Sequence, residues 1–215
     1  MQAALPHLPH WRARTTPELL PTGLPFIDQF LEGFPRGRIS EIVGPVSSGR
    51  TSLLNAILAA ATSRGEFCAL IDTHDVFDPT TGAASGIELR KLIWVRCAGD
   101  AGHAMKAADL LLHSGGFGVV ALDLADLAAR IANHIPISWW FRFQRAVENT
   151  SAVFVLLGTS PHARSCAAVQ LDMRQERAVF SGKFRLMRGI DYSVALRKPV
   201  RPDVARFQPQ AHLAG

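Results

Sequence analysis

The chain has 215 residues, 48% of them hydrophobic and 19% charged, with a net charge of +5. That length suits one sizeable domain with a full core and is short for two, and the composition excludes a disordered chain. No apolar run reaches the ~18 to 20 residues that a membrane span needs. Cys68, Cys97 and Cys166 are far apart and odd in number, which fits neither a zinc set nor a disulfide framework. They are expected as buried small hydrophobes in a reducing compartment, the cytoplasm.

Residues 1–21 carry Pro6, Pro9, Pro17 and Pro21, too many for a stable helix, and read as an arm. The opening "MQAALPHLPHW" lacks the charged head and apolar centre of a secretory signal. A core domain is expected over residues 22–202. "RISEIVG" (38–44) reads as a strand entering a glycine loop, and "TSLLNAILAAATSR" (51–64) as a helix. "FCALID" (67–72) and "KLIWVRC" (91–97) read as strands, and "GHAMKAADLLLHSGG" (102–116) as a helix closed by a glycine pair.

"FGVVALD" (117–123) and "AVFVLLG" (152–158) are continuous apolar strands separated by the helix "ISWWFRFQRAVENT" (137–150). Strands of that kind between helices predict an α/β fold, a mainly parallel sheet covered on both faces. The runs 168–184 and 188–198 mix polar and β-branched residues and read as antiparallel strands added at the sheet's edge. The tail, 203–215, is expected to be flexible and basic.

From residue 161 onward ten Lys/Arg stand against four acids, and thirteen against fourteen before it. A basic end on a neutral body suits an acidic partner, either nucleic acid or an acidic protein segment. Arg174, Arg177, Lys183, Arg185, Arg197 and Lys198 are the candidate contacts there.

"GPVSSGRTS" (44–52) has the spacing of a phosphate-binding loop: glycine, four residues, glycine, a basic residue, a hydroxyl. A strand precedes it and a helix follows, so backbone N–H groups and a helix N-terminus would face an anion. Gly44, Ser47, Ser48, Gly49, Arg50, Thr51 and Ser52 form this candidate site. Arg50 stands where such a loop carries lysine, and a planar fork does not replace a compact ammonium where geometry is tight. Bound nucleotide is compatible with arginine; productive phosphoryl positioning is not expected.

"GLPFIDQFLEGFPRGRISEIVGPVSSGRTSLL" resembles the opening of the bacterial RecA recombinase core. "FCALIDTHDVFDP" is similar to that family's second-strand segment, "GVVALD" to its Walker B strand, and "AAVQLDMRQERAV" to its late β-hairpin. The likeness covers about residues 22 to 202 and implies a RecA-like P-loop core, with Asp78 and Asp123 joining the nucleotide site. The departures fall on active positions. His74 stands at the catalytic glutamate, with Asp75 beside it, and Thr159 or Ser160 stands at the sensor glutamine. Thr80 and Thr81 replace the adenine-stacking aromatic. Too few residues follow Asp123 and Ser160 for the two DNA-binding loops. Asp123 is therefore expected to cap the open end of the sheet or to bond Thr51.

That pattern resembles the ImuA family, RecA-like accessory proteins of bacterial damage-induced mutagenesis. The resemblance implies a non-catalytic role in SOS-induced translesion synthesis. It also implies three partners: RecA, an ImuB-like polymerase homologue and an error-prone C-family polymerase. No cofactor is expected, ATP and magnesium binding weakly if at all, and none of the eight histidines forms a metal set. The alternatives are an active DNA-dependent ATPase of the RecA superfamily and an SOS cell-division inhibitor. In "SWWFRFQRAVEN", Trp140, Phe143 and Val147 have the spacing of a buried helix face. Trp139, Arg142 and Arg145 then point elsewhere as candidate partner contacts.

Overall fold

Strand order is set by which segments can be buried on both faces. A computed structural model describes residues 17–181, 186–199 and 204–207. In chain order the elements are β1 (Leu19–Leu20), α1 (Pro25–Leu31), β2 (Phe34–Pro35), β3 (Arg38–Val43), α2 (Arg50–Ser63), β4 (Phe67–Asp72), α3 (Pro79–Ala84) and β5 (Leu92–Arg96). There follow α4 (Ala101–Ser114), β6 (Phe117–Asp123), α5 (Ala129–Ala132), α6 (Ile137–Glu148), β7 (Val153–Gly158), β8 (Ala167–Ser181), β9 (Leu186–Lys198) and β10 (Val204–Phe207). The main sheet runs β10-β9-β8-β3-β7-β6-β4-β5. Its six strands from β8 to β5 are parallel; β9 pairs antiparallel with β8, and β10 antiparallel with β9.

Period-two alternation divides each central strand between two cores. On β6, Val119 and Ala121 belong to the core that contains Leu53, Ile57 and Leu58 of α2, while Val120 and Leu122 belong to the core with Met105 and Leu112 of α4 and Phe143 of α6. Trp140, Phe143 and Val147 are the buried face of α6, as their spacing predicts. Phe143 meets Phe154 edge-on, with centroids 5.3 Å apart, a favourable ring geometry. Helix ends follow local chemistry. Asp100 caps α4 by accepting from the His103 N–H at 2.9 Å, and Gly115 ends it at φ 67°.

At the N-terminal end of the parallel strands lies a clamp. Arg36 forms a fork with both carboxylate oxygens of Glu66 at 2.9 Å each and also donates to the Ser151 carbonyl at 2.8 Å. It thereby ties the starts of β3, β4 and β7 together. Glu66 in turn lies over Gly118, where a Cβ would sit 1.9 Å from its Oε2.

Three expectations change at the margins. The arm's last residues are part of the fold: Leu19–Leu20 pairs with Phe34–Pro35 and Leu20 is fully buried. Residues 1–16 lie outside the described residues. The tail is not loose throughout, because Val204–Phe207 pairs antiparallel with β9. β8 is interior, between β3 and β9, so the sheet's edge on that side is β10. Of these pairings only that of β8 with β3 joins segments distant in sequence. Among the described residues no helix is long and apolar enough to cross a membrane.

Candidate functional site

The loops after β3, β4, β6 and β7 open at one end of the sheet, where ligand crevices form in parallel α/β folds. The glycine loop turns there from β3 into α2. Gly44 allows no side chain, since a Cβ would lie 2.3 Å from the Met173 carbonyl oxygen. Ser47 (φ 62°) and Gly49 (φ 88°) adopt left-handed backbone to close the loop. Ser48 is 1% exposed and its Oγ has no hydrogen-bond partner. Ser47, Ser48, Gly49, Arg50, Thr51 and Ser52 face Ile190 and Tyr192 of β9 across a cleft of about 220 Å³. The Tyr192 ring lies so close that a Cβ on Gly49 would meet it at 3.0 Å.

Arg50 does not extend along the cleft to solvent. It is 7% exposed, and its Nη1 donates to the Gly158 carbonyl at the end of β7 at 2.7 Å. Burial lowers its pKa, and the nearby Asp123 and Asp126 oppose that shift. The loop's own Gly44 N–H reaches the same carbonyl at 3.2 Å. Arginine and loop thus converge on one oxygen.

The acidic side is also occupied internally. Asp123, at the end of β6, accepts from the Ala125 N–H at 2.8 Å, which fits the expectation of a cap rather than a bond to Thr51. Burial pushes its pKa up to about 6, with Asp126 and Asp72 adding to the rise and Arg50 opposing it. Asp72 accepts from the Val76 and Phe77 N–H groups and from Trp94 Nε1 at 3.1 Å. His74 is half-buried and its Nδ1 has no partner. Asp75 pairs with Arg96 at 3.1 Å. Asp78 is exposed and caps α3, accepting from the Thr80 and Thr81 N–H groups. Among the described residues no His, Cys, Asp and Glu group is arranged to hold a metal ion.

The candidate contacts divide by their partners. Arg142 forms a two-point pair with Asp109, one bond at 2.6 Å. Its guanidinium lies 6.0 Å from the centroid of Trp139, which is half-buried, and Arg145 is exposed. Arg174 and Arg197 both pair with Asp172, Arg177 pairs with Asp191, and Lys198 donates to the Ser165 carbonyl. Lys183 and Arg185 lie outside the described residues. Thr159 and Ser160 line a separate cleft of about 550 Å³ with Pro45, Arg174 and Arg197.

Two contributors are not read from the sequence. Glu41, fully buried in β3, accepts from the His162 and Ala163 N–H groups and fixes the loop after β7. A lone acid inside the apolar run "RISEIVG" was the available signal. Tyr192 carried no comparable signal, because its place over Gly49 depends on the pairing of β8 with β9 and with β3.

Six parallel strands, the first long one of which turns through this glycine loop into α2, define a P-loop α/β core. Residues 12–134 match the model of the RecA N-terminal domain. The chain belongs to the RecA family. It is 36% identical to RecA of Treponema denticola over 108 residues, 49% of this chain and 26% of that protein. To RecA of Deinococcus radiodurans it is 41% identical over 135 residues, 60% of this chain and 37% of that protein. The matches therefore span between a quarter and two fifths of these relatives' length. The crystal structure of the RadB recombinase superposes with a TM-score of 0.69 at 16% identity, covering 88% of this chain and 96% of that one. That likeness concerns the fold.

Proposed function

We propose that this chain is a RecA-like accessory protein of the ImuA type. In this reading it docks on RecA and on an ImuB-like polymerase homologue during damage-induced translesion synthesis, beside an error-prone C-family polymerase, and turns over no nucleotide. One observation carries the reading: the Arg50 guanidinium is bound to the Gly158 carbonyl at 2.7 Å. Phosphoryl transfer depends on positioned charge at the transferred group, and here the loop's only cation is turned into the fold.

The surrounding groups support the same reading. The backbone concavity and the Ser48 hydroxyl fit an anion. The set does not fit a hydrolysing nucleotide–magnesium site, because Asp123 is engaged by the Ala125 N–H and Asp75 by Arg96. Internal pairing of Arg174, Arg177 and Arg197 also leaves fewer cations for phosphate neutralisation, which weighs against a primary DNA-binding role.

The test is ATP turnover with and without single-stranded DNA, for the wild type and Thr51→Ala. Equal rates are expected. DNA-stimulated turnover above the Thr51→Ala rate overturns the proposal. Co-purification of the tagged chain with RecA or an ImuB-like protein tests the docking role directly.

A further inference from the structure

Two clefts meet beside α5 and α6, away from the glycine loop. The first, about 260 Å³, is walled by Met105, Ile131, Ile135, Pro136 and Trp139, with Lys106 at its rim. The second, about 380 Å³, is lined by Asn133, Ile137, Trp140, Pro161, His162 and Arg164. Residues His134, Ile135 and Pro136 line both, so the clefts adjoin at this segment and are treated together as one groove. Ile131 and Ile137, one on each side, leave 42% and 46% of their surfaces open.

The groove's charge has one sign. Neither cleft is lined by an Asp or Glu, whereas Lys106 lines the first and Arg164 the second. The nearby acids are occupied: Asp100 caps α4 and Asp109 holds Arg142. Burial lowers the His162 pKa, so at neutral pH the positive charge comes from Lys106 and Arg164. The first cleft, about 260 Å³ and walled mainly by apolar side chains, suits one or two apolar side chains of a peptide. Two separated cations around an apolar pocket are too few for a nucleic-acid backbone, which is held by a run of phosphate contacts. They match an extended peptide with carboxylates on both sides of an apolar anchor, against a wall of the aromatic type that dominates interface energetics.

We propose that this groove binds an extended acidic segment of a partner protein, seating one apolar side chain against Trp139 between Lys106 and Arg164. The proposal deepens the accessory-protein reading and rests on its docking role. It can fail separately, since nucleotide turnover is measured by a different assay.

The test is fluorescence anisotropy on the full chain, using a fluorescein-labelled peptide with a Leu-Phe pair between runs of Asp and Glu. Two control peptides replace the acids by Lys or the Leu-Phe pair by Ser, and a labelled oligothymidine is run in parallel. Saturable binding of the acidic peptide is expected, at least about ten-fold tighter than either control peptide or the oligothymidine. Trp139→Ala is expected to weaken it by a similar factor. Lys106→Glu and Arg164→Glu, both at exposed positions, are expected to weaken it several-fold without lowering the melting temperature. No binding, equal binding of the lysine peptide, insensitivity to Lys106→Glu and Arg164→Glu, or preference for the oligothymidine overturns the proposal.

Discussion

Glu41, at the centre of the sheet, accepts backbone hydrogen bonds from Ala163 at 3.1 Å and from His162 at 2.5 Å, more than a hundred residues away. Its Oε2 has no partner. Burial raises its pKa, and the His162 and Ala163 N–H groups and then Lys198 oppose the rise. A raised folded pKa means that the fold favours the protonated acid. Stability is therefore lost as pH rises above the ordinary glutamate value. Glu41→Gln keeps an acceptor and is expected to stay within about 1 kcal/mol of wild type at neutral pH, with a flatter pH dependence. Glu41→Ala leaves two buried N–H groups unpaired and is expected to cost about 2–4 kcal/mol. Urea unfolding across pH checks both.

Arg50→Lys restores the residue usual in a phosphate loop, yet it removes the reach to Gly158. A lost bond from a charged donor to a buried carbonyl is expected to cost about 1.5–3 kcal/mol. ATP turnover is expected to stay at the Thr51→Ala rate. Thermal melting and a phosphate-release assay on the same preparation measure the two effects separately.

Asp123 titrates near pH 6 in the folded chain, against about 3.9 for an unperturbed aspartate. Below the lower value both states are protonated and nothing is lost; above the upper value the folded state bears the full cost of an ionised, buried acid. Asp123→Asn is expected to raise stability at pH 7.5 by about 1–3 kcal/mol and to have little effect near pH 4. Denaturant midpoints at the two pH values give the comparison.

Breaking the fork between Arg36 and Glu66 leaves a half-buried charge with only the longer bond to Arg64, at 3.3 Å. Burial pushes the Glu66 pKa up, but its bonds to Arg36 and Arg64 outweigh that and hold it down. The pair's contribution is therefore present above the ordinary glutamate pKa and lost in acid. Arg36→Ala is expected to cost about 2–4 kcal/mol at pH 7, and the difference should narrow below pH 4. Unfolding of the two proteins at both pH values decides it.

The central strands and the long helices were legible in the sequence, because continuous apolar runs such as "FGVVALD" and the spacing of Trp140, Phe143 and Val147 express burial locally. The short elements were not. α1 and α3 have only 7 and 6 residues, and β1 and β10 only 2 and 4, too few to show a period. The loop's spacing and the substitution at Arg50 could be read directly. The direction of the Arg50 side chain could not, since Gly158 lies 108 positions away. Nor could the internal pairing of the basic C-terminal quarter, which depends on the register that sets Asp172 and Asp191 beside their arginines.

The Arg36 fork fastens the strands at the end opposite the loops. A molecule braced at its base can vary its crown. Substitutions around the glycine loop then change what the chain recognises while the platform beneath keeps its form, and one architecture can shift from turning over a ligand to holding a colleague.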